Sequence, residues 1–379
     1  MHFATKAIHE GTQPDPTTGA LMTPIYMTST YLQDAPGETR GYDYTRAGNP
    51  NFTGLEKVLA SLEEAKYATI FSSGLGALTG LIAGLLVQGD AVLGINGLYG
   101  GTFRLFQQVF RSFGIHFHIR TPKTVEELDG VLSEIKPKWL LFETPTNPLL
   151  EIFDIEAFAH IAKKHKALTL VDNTFATPYN QLPLKWGADI VWHSTTKYIG
   201  GHSDVIGGVV ITDNAHIKER VDFARKAVGV NPSPFDAWLV TRGVKTLAVR
   251  MKAHEENGRI VAHFLAHHPK VKKVYYPGLE THPQYLLAKK QMTGFGGMVS
   301  AEFDMTLPQV KKYISSLKLF ALAESLGGVE SLVCYPAVMT HAAISPEERL
   351  KMGLTEGLVR FSVGIEHSND LLQDLSTGL

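Results

Sequence analysis

The chain has 379 residues, 19% charged and 44% hydrophobic, a mix that excludes a disordered segment and leaves room for two domains. A formal net charge of −1 with no basic block gives no footing for nucleic acid or an anionic membrane. The apolar runs are too short to span a bilayer, the N-terminus lacks the pattern of a signal peptide, and a single cysteine, Cys334, cannot form an internal disulfide, so a soluble cytoplasmic protein is expected.

Residues 1–50 are rich in Thr, Pro, Gly and Tyr, and read as turns and extended chain, an arm rather than a core. From about residue 55, short apolar runs with β-formers appear: AKYATIFSS, DAVLGIN, IHFHIR, WLLFET, LTLVDNT, DIVWHS and GGVVIT. Helical patterns separate several of them, among them GALTGLIAGLL, FRLFQQVFRSF, VEELDGVLSEI and IEAFAHIAKKH. Strands buried on both faces and joined by helices predict a mainly parallel α/β sheet, the core of a large domain over 51–240. The segment WLVTRGVKTLAVRMKAHEENGRIVAHFLAHH predicts a long helix bridging two domains. Over 241–379, strands (GGMVSAEFD, GLVRFSVGI) and a helix (LPQVKKYISSL) predict a smaller α+β domain.

Open α/β folds gather ligand-binding residues at the carboxyl ends of their strands, and four such ends carry polar groups here: FSSGLG, FETPTNP, VDNTF and HSTTK. In FSSGLG, Ser73, Gly74 and the N–H groups of the following helix could hold a phosphate. The same glycines, with Gly76 and Gly80, fit tight helix–strand packing or a loose dinucleotide fingerprint, the basis of an NADP-binding alternative; the acidic ribose partner expected about twenty residues on is missing. Asp172 is either a turn or capping aspartate or the ionised partner of a buried cationic heterocycle. Lys197 follows an apolar strand and the hydroxyls of Ser194, Thr195 and Thr196. Gly200 and Gly201 then allow a close approach by backbone or ligand. Burial or a neighbouring cation would turn such a lysine into a nucleophile. A phosphate-gripping loop, a strand-end aspartate and a framed lysine together match what pyridoxal phosphate requires.

The motifs YDYTRAGNP, FETPTNP, VDNTFATP, ADIVWHSTTKYIGGHSDVIGG, AESLGGVES and PAVMTHA, in that order, resemble the pyridoxal-phosphate enzymes of cysteine and methionine metabolism over essentially the whole chain. The resemblance implies the fold type I (aspartate-aminotransferase-like) architecture with a seven-stranded sheet, and a homotetramer built as a dimer of dimers with shared active sites. It implies Lys197 as the amine that holds the cofactor, Asp172 as partner of its ring nitrogen, and Tyr99 stacked on the ring and aiding proton transfer. Ser73, Gly74, Leu75, Thr174, Ser194 and Thr196 would complete the cofactor site, with Tyr44 and Arg46 reaching the phosphate in the neighbouring subunit. Asn147, Ser325 and Arg360 would hold the substrate's carboxylate, Arg360 through its bidentate fork.

Within the family, Glu324 and Asp43 carry most of the discrimination. An acid at Glu324 resembles the cystathionine γ-lyase and γ-synthase pattern, where it could meet a substrate's distal ammonium; its alternative is a helix cap. Asp43 stands where those enzymes tend to have glutamate. Methionine γ-lyases are less similar, because their signature cysteine is replaced by Gly101, and Tyr335 stands where a histidine is common. The expected reaction is cystathionine γ-cleavage, with γ-synthase and β-lyase as the neighbouring alternatives. His193, His202 and Asp204 match no standard metal-ligand spacing, so no metal is expected, and His341 reads as structural.

Overall fold

The computed structural model describes residues 1–339, 347, 350 and 353–379. Its larger sheet has seven strands: β1 (Tyr67–Phe71), β2 (Ala91–Ile95), β3 (His116–Arg120), β4 (Trp139–Glu143), β5 (Leu168–Asp172), β6 (Ile190–Ser194) and β7 (Gly208–Thr212). Their order across the sheet is β1-β7-β6-β5-β4-β2-β3. Only β7 runs against its neighbours, so the sheet is mainly parallel, as expected.

Alternation along the strands assigns each face a helical cover. Trp139 and Leu141 of β4 pack with Leu78 and Leu81 of α2 (Gly74–Leu85) and Val221 of α5 (Ala215–Val228). Leu140 and Phe142 point the other way, onto Leu128 of α3 (Val125–Ile135) and Phe158 of α4 (Ile155–Lys164). On that same face Val191 and Val209 meet Phe52 and Leu55 of α1 (Pro50–Leu62) and Val240 of α6 (Pro234–Val244). The inner strands thus bury both faces, which explains why they read as unbroken apolar runs, while the edge strand β3 stays partly exposed.

A second sheet holds β8 (Val271–Tyr275), β9 (Met298–Phe303), β10 (Ala321–Leu322), β11 (Leu332–Cys334) and β12 (Leu358–Ser362), in the order β8-β9-β12-β11-β10. Val299, Phe303, Val359 and Phe361 line one face, against Val261 and Leu265 of α7 (Leu247–Ala266) and Val310 of α8 (Leu307–Ser316). Period two then places Arg360 on the opposite face, beside Ser300, whose hydroxyl donates to the Pro148 carbonyl 2.7 Å away.

Three elements differ from expectation. The first residues are not all turn and extended chain: Phe3–His9 is helical, and Gln33–Ala35 pairs with Glu38–Thr39. The FRLFQQVFRSF segment is helical but irregular, passing from an α-turn (Gly100–Arg104) into wider and then tighter turns before Gly114. The long bridging helix is two helices, α6 and α7, broken at Lys245–Thr246, where the Arg250 guanidinium takes the Gly243 carbonyl at 2.9 Å. No helix among the described residues is long and apolar enough to cross a membrane.

Candidate active site

Three adjacent parallel strands end side by side in polar residues: Glu143 closes β4, Asp172 closes β5 and Ser194 closes β6. A cavity of 340 Å³ opens at these ends. Ser73, Gly74, Leu75, Tyr99, Asn147, Asp172, Thr174, Ser194, Thr196, Lys197, Glu324, Ser325 and Arg360 all line it, so the fold brings together every site residue expected from the sequence except Asp43, Tyr44 and Arg46.

At one end of the cavity, Ser73 caps α2, its Oγ accepting the Gly76 N–H at 2.9 Å. The first N–H groups of α2 have no acceptor within the helix, so this end favours an anion. Trp192 Nε1 donates to the Gly74 carbonyl at 2.9 Å and pins the start of α2 to β6. A Cβ on Gly74 would stand 3.0 Å from Ser194 Cβ, so the missing side chain lets the helix start approach the Ser194 hydroxyl. Gly80 serves packing instead, since its Cβ would meet the Phe71 ring at 2.4 Å. The glycine spacing thus has a structural reason without a dinucleotide.

On the floor, Asp172 Oδ1 accepts the Thr174 N–H at 2.9 Å, while Thr174 Oγ1 accepts the Ser194 N–H at 2.9 Å. Burial pushes the Asp172 carboxyl upward, against the Thr174 hydrogen bonds and the nearby His193 and Lys197 charges. Lys197 Nζ donates to Ser325 Oγ at 2.7 Å. Burial, with the Arg360 charge second, lowers its pKa to about 8, while Glu324 and Asp172 oppose the shift. The framed lysine is therefore a group that gives up its proton readily.

Arg360 is only 2% exposed. Its Nη1 donates to Asn147 Oδ1 at 2.9 Å and its Nη2 to the Ser325 carbonyl at 2.8 Å. Its Nε has no hydrogen-bond partner among the described residues, and no carboxylate there pairs with it. A buried guanidinium held by neutral groups is suited to a carboxylate that arrives from solution. Ser325, at a φ of +84°, joins Lys197 through its hydroxyl and Arg360 through its carbonyl. Glu324 lies exposed on the same wall, and Tyr99 is 41% exposed at the start of Gly100–Arg104.

Asp43, Tyr44 and Arg46 lie elsewhere. Arg46 donates to the Lys226 carbonyl at 2.7 Å and sits over the Tyr44 ring, and the two line a separate cavity beside Met27 and Asn231. Exposed Asp43 accepts the Tyr44 N–H at 2.6 Å. His193 and His202 have partners of their own: His193 Nε2 meets Glu63 Oε1 at 2.5 Å with both side chains fully buried, and His202 Nδ1 meets the Gly200 carbonyl at 2.8 Å. Cys334 and Tyr335 are buried. His341, and with it the end of the PAVMTHA motif, lies outside the described residues.

Sequence reasoning passed over two residues here. Glu143 is the acid of FETPTNP; the sequence shows a carboxyl closing an apolar strand, and only the structure shows that this strand lies beside the one that carries Asp172. Arg250 donates to the carbonyls of Tyr198 at 2.6 Å and Ile199 at 3.2 Å, just after Lys197, and nothing in its local sequence announces that. The close approach allowed by Gly201 is to this guanidinium, 2.0 Å from where its Cβ would stand, rather than to backbone or ligand.

Residues 4–379 match the family model described as Cys/Met metabolism PLP-dependent enzyme. The chain is 49% identical over 380 residues to a cystathionine beta-lyase of Coxiella burnetii, covering 100% of this chain and 98% of that protein. It is 47% identical over 378 residues to a cystathionine gamma-lyase of Dictyostelium discoideum, covering 100% and 97%. A solved cystathionine gamma synthase from Xanthomonas oryzae pv. oryzae, in complex with cystathionine, superposes with a TM-score of 0.97 at 43% identity, covering 100% and 97%. With the strand-end lysine and aspartate in place, the chain belongs to the pyridoxal-phosphate-dependent enzymes of cysteine and methionine metabolism, within the group of cystathionine lyases and synthases.

Proposed function

We propose that the enzyme is a cystathionine γ-lyase, converting cystathionine and water to cysteine, 2-oxobutyrate and ammonia. The observation that carries this reading is Glu324 on the cavity wall next to Ser325, the residue that links Lys197 and Arg360. A substrate whose α-carboxylate is held by Arg360 and Asn147 would then find a carboxylate available for its second, distal ammonium.

The residues present fit the cofactor. The start of α2 with Ser73, Gly74 and Leu75, and the hydroxyls of Ser194 and Thr196, would take its phosphate. Asp172, with Thr174 fixing its carboxylate, would face the ring nitrogen, and Tyr99 would cover the ring. Pyridoxal phosphate, when bound, supplies the electron sink that accepts the electron pair left at Cα. Arg360 and Asn147 hold the substrate's carboxylate. Lys197 Nζ, freed from the cofactor and kept near Ser325 Oγ, takes the proton from Cα. Cleavage at Cγ needs a second proton removed at Cβ, so the same amine would have to hand on the Cα proton before acting again, and a pKa lowered to about 8 suits a group that both takes and returns protons.

Asp43, Tyr44 and Arg46 would serve a second copy's cavity, which makes the arm of residues 1–50 part of a shared site in a homotetramer built from dimers. The remaining chain divides into a cofactor-binding domain (51–240) and a C-terminal domain (241–379), and the assembly would work in the cytoplasm. Exposed apolar residues on the arm, Leu21 at 81%, Leu32 at 74% and Met27 at 68%, support a covering subunit.

Product analysis with cystathionine tests the reaction. Cysteine with 2-oxobutyrate is expected. Homocysteine with pyruvate would make the enzyme a β-lyase, and cystathionine formed from cysteine and an acylated homoserine would make it the synthase. Glu324→Ala should lower kcat/KM for cystathionine about tenfold more than for a substrate lacking the distal amine. Equal losses on both substrates would remove Glu324 from that role.

A further inference from the structure

Glu143 has no part in the reading above, yet it closes β4 in register with Asp172 on β5. It is 5% exposed and lines the cavity. Among the described residues its Oε1 accepts the backbone N–H of Tyr99, and no cation forms an ion pair with it. Two carboxyls at one buried place do not both ionise; the charge settles on the one with more donors and nearer cations. Asp172 is that one, since the Thr174 N–H serves it at 2.9 Å and the His193 and Lys197 charges act on it.

We infer that Glu143 is a positioning residue that carries the proton of this carboxyl pair. As an uncharged acid it ties the start of the Tyr99 segment to the sheet and leaves the negative charge on Asp172. The groups facing it agree with that assignment. Asp172 lies beside it on β5; His193 on β6 and Lys197 just after it act on Asp172, and Lys197 lines the same cavity. Tyr99 gives it its backbone N–H, and Glu324 and Arg360 line the same cavity. Burial first, then the Asp172 charge, holds the Glu143 carboxyl well above the usual carboxylate range, against the pull of the Tyr99 N–H. An ionised Glu143 would compete with Asp172 for the cationic ring and oppose entry of the substrate's carboxylate. A neutral one keeps the hydrogen bond and removes both conflicts.

The inference rests on the proposed role of Asp172, and two variants test it. Glu143→Gln keeps the shape, the acceptor for the Tyr99 N–H and the absence of charge, whereas Glu143→Ala removes the tie. The readouts are the dissociation constant of pyridoxal phosphate from apoenzyme, followed by fluorescence, and the pH dependence of the holoenzyme's visible absorbance. Glu143→Gln should stay within about twofold of the parent with the same pH midpoint, and Glu143→Ala should bind cofactor about tenfold more weakly. Equal damage in both variants would mean an ionised carboxylate is needed, and parental behaviour of Glu143→Ala would mean there is no tie; either overturns the inference. Should Glu143→Ala fail to fold, the infrared spectrum of the holoenzyme decides. A carboxylic-acid C=O band lost in Glu143→Gln is expected, and its absence from the parent refutes a protonated Glu143. Failure of the wider reading has a different signature, a visible cofactor band retained in Lys197→Ala.

Discussion

Lys197 carries an unusual load for a lysine, because burial and the Arg360 guanidinium both disfavour its charged form. The shift is from 10.5 to about 8, and only the Glu324 and Asp172 carboxylates work against it. The neutral amine attacks an aldehyde, so apoenzyme should combine with pyridoxal phosphate faster as pH rises, levelling off above a midpoint near 8. Removing an opposing carboxylate should move that midpoint down in Glu324→Gln, and removing the neighbouring cation should move it up in Arg360→Met. Stopped-flow absorbance across the pH range measures all three, and a midpoint near 10.5 in the parent would show that the amine is not desolvated. The places of Lys197 and Asp172 at the cavity were legible in the sequence because each follows an apolar run that had to be a strand, while their roles came from the family resemblance. The place of Glu143 beside Asp172 and the contacts of Arg250 were not legible. One depends on which strand lies beside β5, the other on a contact 52 residues away in sequence, between Arg250 and the Tyr198 carbonyl. A linear pattern carries neither fact.

At the level of elements, strands buried on both faces were readable, while short or irregular helices were not. The helix Phe3–His9 buries only Ala7, too little for a periodic pattern. The break between α6 and α7 was hidden because residues on both sides of it have helical character. The Arg250 guanidinium sits at it and joins Gly243 and Thr246 to the loop after Lys197. Gly201, at a φ of +72°, leaves room for it. Gly201→Ala should cost about 2–4 kcal/mol, combining left-handed backbone strain with displacement of a guanidinium fixed by several hydrogen bonds. Gly130, exposed within α3 with nothing near its missing Cβ, supplies the contrast. Gly130→Ala should stabilise by about 0.5–1 kcal/mol through helix propensity and a less flexible unfolded chain. Urea denaturation of both variants measures the difference, and a Gly201→Ala midpoint equal to the parent's would show that the Arg250 contact can relax at no cost.

For the molecule as a whole, the question is where the arm delivers Tyr44 and Arg46. The arm is held to its own chain at its middle: Trp238 Nε1 donates to the Thr23 carbonyl at 3.0 Å, and Asn51 Nδ2 to the Pro24 carbonyl at 2.9 Å. Arg46 is likewise tied to Lys226. These contacts keep the arm's polar side chains beside their own cavity and away from the chain's Lys197, so the proposed role of Tyr44 and Arg46 at a cofactor calls for a second subunit. A closed twofold dimer gives each of two sites one lysine from one chain and one arginine from the other. Lys197→Ala and Arg46→Ala should each be inactive at limiting pyridoxal phosphate. Refolded together in equal amounts, they should recover about a quarter of the parental activity, since half the dimers are mixed and each mixed dimer has one intact site. Separately refolded and then mixed without exchange, they should recover none. If Arg46 instead served the lysine of its own chain, both sites of a mixed dimer would stay defective, and co-refolding would restore nothing.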